Sequence, residues 1–130
     1  MSTGDRYARG LEHLRRTQGE KVAGRIEEAL RSVSPSFAEY SISSTYGEVF
    51  PRERLELRSR QLVTIAILAT LGGCEQQLKL HIRAGLQLGI TGDEIVETII
   101  QVAAYAGAPR ASNAFLAATE VFERAGVSVA

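Results

Sequence analysis

The sequence predicts an all-α protein of six or seven helices. Three observations predict it. Strong helix formers dominate the 130 residues. No stretch sustains the every-second-residue alternation of a half-buried strand. Glycines, prolines and capping signals cut the chain into helix-length segments joined by short connectors.

Each element follows from local chemistry. Residues 7–14 place Tyr7, Leu11 and Leu14 at helical spacing, and Gly19 ends that helix. A second helix over 20–31 puts Val22, Ile26, Ala29 and Leu30 on one face. Ser34-Pro35 reads as an N-cap followed by proline in the first turn, opening a third helix through Phe37, Tyr40 and Ile42. Tyr46-Gly47-Glu48-Val49-Phe50-Pro51 breaks the pattern and reads as a loop, unusually rich in aromatics. A fourth helix over 57–71 is amphipathic at first and apolar nearly all round later, so its second half should be buried. Gly72-Gly73 stop it. A fifth helix runs over 74–88 and Gly89 closes it. Thr91-Gly92-Asp93-Glu94 has the form of a capping box and opens a sixth helix that continues to Tyr105. Gly107-Ala108-Pro109 turns the chain into a seventh helix over 109–124, with Gly126 after it.

Composition narrows the function. The length suits one domain, residues 1–130. Fifteen Lys and Arg balance fifteen Asp and Glu, so the basic excess of a nucleic-acid binder is missing. The longest apolar run, residues 62–71, is about half of the ~20 residues that cross a bilayer. The N-terminus, with Asp5, Arg6 and Arg9, lacks the apolar core of a signal peptide. One cysteine makes no internal disulfide and suits a reducing cytosol. A cytoplasmic protein without a structural zinc is therefore expected. Zero net charge and more apolar surface than a small domain can bury point to a homo-oligomer.

Candidate chemistry centres on Cys74-Glu75-Gln76-Gln77-Leu78-Lys79-Leu80-His81. Cys74 and His81 are seven residues apart, so they share a helix face but stand ~10.5 Å apart along the axis. Gln77 lies between them and has the spacing to reach His81. At a helix N-terminus Cys74 would meet free N–H groups that favour an anion; its plain alternative is a small buried hydrophobe. His81 is either a proton carrier near neutral pH or a histidine satisfied inside a helix interface. Glu48, flanked by Tyr46, Val49 and Phe50, is a candidate acid or base, or else a solvent-facing loop residue. Arg52, Arg60 and Arg83 are candidate carboxylate clamps, or else members of solvated ion pairs. His13, amid Glu12, Arg15 and Arg16, reads as a surface residue.

Taken together these segments resemble the carboxymuconolactone decarboxylase family, within the alkylhydroperoxidase D-like superfamily. The resemblance rests on Arg6-Tyr7-Ala8-Arg9-Gly10, on the loop from Tyr46 to Arg52, and on the helix from Leu57 to Ala66. It rests also on Gly73 through His81-Ile82-Arg83, and on Ala104-Tyr105-Ala106-Gly107-Ala108-Pro109. It implies an orthogonal array of helices in obligate oligomers, commonly trimers or hexamers. It also implies cofactor-free decarboxylation of a carboxylated lactone in aromatic catabolism. Decarboxylases of this type usually carry Arg where Cys74 stands and Glu where Gln77 stands. The thiol peroxidase branch carries Cys-x-x-Cys-x-x-x-His, and here Gln77 replaces its second cysteine.

The resulting expectation is a cofactor-independent decarboxylase acting on a small carboxylated lactone. His81, Glu48 and Cys74 are the expected catalytic residues. Gln77, Arg83, Arg60 and Tyr46 are the expected substrate contacts, with no metal, nucleic-acid or membrane partner. Two alternatives accompany it. One is a thiol-dependent antioxidant protein using Cys74 without an in-chain resolving cysteine. The other is a non-catalytic oligomeric binding protein on the same fold.

Overall fold

The structure, a computed structural model, describes residues 2–130. Seven α-helices and one π-helical segment account for most of them, and no strand occurs among the described residues. The described residues form two compact units, 2–57 and 58–130.

The first unit holds α1 (Thr3–Gln18), α2 (Glu20–Val33), α3 (Pro35–Ser41) and a π-helical segment (Ile42–Val49). Helix α1 starts four residues before the expected Tyr7. Ser2 and Asp5 form a reciprocal capping box, Ser2 Oγ accepting the Asp5 N–H at 3.2 Å. The segment expected to be an aromatic loop is instead π-helical through Val49. Its wide hydrogen bonding ends with the Phe50 N–H on the Thr45 carbonyl, 3.0 Å away. Gly47 explains how the segment lies so close to α1: a Cβ there would sit 2.0 Å from the Arg6 carbonyl oxygen. The aromatics are not solvated either. Tyr46 and Phe50 stack on each other at 5.6 Å and close over His13, at 5.8 and 4.9 Å. His13 is therefore buried, 4% exposed, and not the surface residue its charged neighbours suggest. Leu14, Ala23 and Ile42 form the centre of this unit's core.

The second unit holds α4 (Leu57–Leu71), α5 (Glu75–Gln87), α6 (Gly92–Ala106) and α7 (Ala108–Ala125). Helix α4 has the expected bounds but not the expected burial. Gln61, Ile65 and Ala69, four apart, face the core. Val63, Ile67 and Leu71 lie on the opposite side and stay 48%, 53% and 62% exposed. Gly72 and Gly73 both hold positive φ, +68° and +75°, which lets the chain reverse sharply into α5. The Thr91–Glu94 capping box forms as expected and starts α6. Ile65, Ile82, Ile95, Ile99 and Ala118 are sealed from solvent at the centre of this core.

Candidate active site

Helix α5 carries His81 on its core-facing side, together with Leu78, Ile82 and Gly85. The imidazole is 8% exposed. Its partner comes from α4. Gln61 Nε2 lies 2.8 Å from His81 Nδ1 and 2.8 Å from the His81 carbonyl oxygen. Gln61 is itself buried, 1% exposed. Burial pushes the His81 pKa down from 6.5 to about 4, so the ring is neutral at physiological pH.

Gln61 is the residue that sequence reasoning missed. Its signal was a polar side chain at i−4 from Ile65 and i−8 from Ala69, on the stripe that faces the core. Gln77, expected between Cys74 and His81, is exposed. The amide set against Nδ1 is Gln61's.

Cys74 caps α5 and is half-buried. Its Sγ–H donates to the Leu68 carbonyl at 3.3 Å. The helix start that was expected to attract an external anion already has a carboxylate beside it. Glu75 accepts the Gly73 N–H at 3.3 Å.

Helix α5 presents Arg83 on a different side from His81. Two residues of helix amount to ~200°. Arg83 lines an open groove of about 790 Å³ between α5 and α7, shared with Lys79, Leu80, Val121 and Arg124. Glu120 in this groove pairs with Lys79 at 2.5 Å and with Arg124 at 3.5 Å. The Lys79 hydrogen bond holds the Glu120 carboxyl below the usual range. Arg60 is half-buried on α4, next in sequence to Gln61. Its neighbour Arg58 is hydrogen-bonded to Glu94, whose pKa falls to about 2 chiefly through that bond.

Glu48 and Tyr46 belong to the first unit. The Glu48 carboxylate faces cations rather than the flanking aromatics: Arg6 at 3.8 Å and Arg52 at 4.0 Å. Tyr46 is half-buried in its stack with His13 and Phe50, and burial pushes its phenol pKa up. Among the described residues no group of three or more His, Cys, Asp or Glu side chains could hold a metal ion. No helix among them is long and apolar enough to cross a membrane.

The comparisons agree with this all-helical arrangement. The model of the carboxymuconolactone decarboxylase family matches residues 35–120. That segment contains α4, α5 and the Gln61–His81 pair. The chain belongs to the carboxymuconolactone decarboxylase family. It is 38% identical over 128 residues to a 4-carboxymuconolactone decarboxylase of Acinetobacter baylyi, covering 98% of this chain and 95% of that one. It is also 32% identical to an uncharacterised 15.0 kDa protein of Paracoccus denitrificans, over 72% of this chain and 71% of that one. An uncharacterised protein of Methanocaldococcus jannaschii is 31% identical, over 78% of this chain and 94% of that one.

Proposed function

We propose that this protein is a cofactor-independent carboxy-lyase that decarboxylates a small carboxylated lactone of the 4-carboxymuconolactone type. The observation that carries this reading is the near full-length similarity to the Acinetobacter decarboxylase. The buried, neutral His81 supports it, because a water-excluded imidazole is suited to managing charge on an organic substrate.

The reaction breaks the bond between the ring carbon and its carboxylate. The bonding electron pair passes into the conjugated lactone, CO2 leaves, and the resulting dienolate takes up one proton at carbon. The protein has to hold the carboxylate and stabilise the charge that moves onto the lactone oxygen. Arg60, next in sequence to Gln61, is the candidate cation, since guanidinium binds carboxylate through two parallel hydrogen bonds; Arg83 lines the α5–α7 groove on a different side of α5 from His81. His81 is the group assigned to the developing charge.

A spectrophotometric decarboxylation assay with γ-carboxymuconolactone, wild type beside His81→Ala, tests the reading. Turnover should fall by roughly 10²- to 10⁴-fold in the variant. Full turnover by His81→Ala would remove His81 from the mechanism. No turnover by folded wild type would overturn this lactone as the substrate.

A further inference from the structure

We propose that Gln61 is a positioning residue that locks His81 into the Nε2–H tautomer, making the histidine a neutral hydrogen-bond donor and not a base. The argument is geometric. The two ends of a glutamine amide are told apart by what they face. Here one end faces two atoms of the same residue, the His81 carbonyl oxygen and His81 Nδ1, each at 2.8 Å. A peptide carbonyl oxygen only accepts. The amide end against it must therefore be the NH2, because an amide oxygen would set two acceptors against each other. The NH2 group has two hydrogens, one for each contact. Nδ1 consequently accepts with its lone pair, and the ring hydrogen resides on Nε2.

Two consequences follow. With Nδ1 occupied and Nε2 protonated, neither ring nitrogen has a lone pair to receive a proton. An imidazolium would point a second N–H at the amide N–H of Gln61, so the contact opposes protonation in the same direction as burial does. What Nε2 meets must then be an acceptor. Resting on the decarboxylase reading, a neutral His81 serves the reaction by hydrogen bonding and not by taking up a proton.

The test is long-range 1H–15N correlation NMR on uniformly labelled protein. The chain has two histidines, and His81→Gln assigns the signals. Wild type should show a protonated Nε2 and an unprotonated Nδ1 from pH 6 to 8. Gln61→Glu places a carboxylate against Nδ1, so the hydrogen should move there or the ring should become doubly protonated. Gln61→Met, which only removes the hydrogen bonds, should leave a mixture of tautomers. A wild-type ring protonated on Nδ1 would overturn the proposal whether or not the variants fold. So would an Nε2–H tautomer that persists unchanged in a folded Gln61→Glu. In the lactone assay Gln61→Glu should lower kcat by roughly 10²-fold with little change in KM. If wild type shows the Nε2–H tautomer but no lactone turnover, the decarboxylase reading fails and the tautomer assignment stands.

Discussion

Gln61 and His81 bind each other twice across α4 and α5, through the imidazole and through the peptide carbonyl, both at 2.8 Å. Both residues are buried, so charging the ring is costly. The folded pKa of about 4 lies below the unfolded value of 6.5. Between those values the unfolded chain binds the proton and the folded chain does not. Stability is therefore full above pH 6.5 and is lost as pH falls toward 4. The shift corresponds to about 3 kcal/mol. Urea unfolding of wild type and His81→Gln across pH 7.5 to 4 checks it. Wild type should lose about 3 kcal/mol more than the variant, which has no titrating group at that position. Superimposable pH profiles would assign the acid sensitivity elsewhere.

Most of the helices were legible because their signals are local. Thr91 with Glu94, Ser34 with Pro35, and Gly107 with Pro109 each specify an end without help from distant residues. The errors arose where tertiary packing decides. Tyr46, Gly47 and Phe50 resemble loop residues until α1 lies against them, and His13 resembles a surface residue until the same two rings cover it. The site divided along the same line. His81 stood out as a rare titratable residue, whereas Gln61 is one amide among several and is distinguished only by the stripe on which it falls.

The close approach at Gly47 makes a sharp steric prediction. Gly47→Ala would place its Cβ 2.0 Å from the Arg6 carbonyl oxygen, a contact with backbone that no rotamer relieves. The substitution should cost at least about 2 kcal/mol. Gly24→Ala is the matched control. Gly24 lies in α2 with nothing within 4 Å of the added carbon, so alanine there should stabilise the helix by about 0.5–1 kcal/mol. Chemical denaturation of the two variants should therefore move in opposite directions. Equal effects would mean that α1 and the π-helical segment separate readily.

Cys74 provides the test of thiol chemistry. Its thiol hydrogen is engaged by the Leu68 carbonyl, and the side chain is half-buried at the α5 cap. No second cysteine exists in the chain to resolve an oxidised sulfur. Stoichiometric peroxide should therefore leave the mass of the intact protein unchanged. Alkylation should be slow relative to a free thiol in water. Rapid formation of sulfenic acid at Cys74, trapped and located by mass spectrometry, would instead favour the thiol-dependent antioxidant alternative.

The outward face of α4 bears on assembly. Val63, Ile67 and Leu71 repeat every four residues and are all about half exposed or more. Beside them, Ala66 and Thr70 of α4 line a shallow depression with Gln101 and Tyr105 of α6. Tyr105 is 82% exposed. A row of aliphatic side chains in water is the surface that association would cover, and a formal net charge of zero offers no long-range repulsion against it. Wild type is expected to self-associate at micromolar concentration. Ile67→Glu should shift the distribution toward the monomer in sedimentation velocity, because it places a carboxylate in the middle of the row. The exposed position predicts a change in monomer stability within about 0.5 kcal/mol. A wild type that sediments as a monomer would refute the expectation. An associated Ile67→Glu would move the interface to another face.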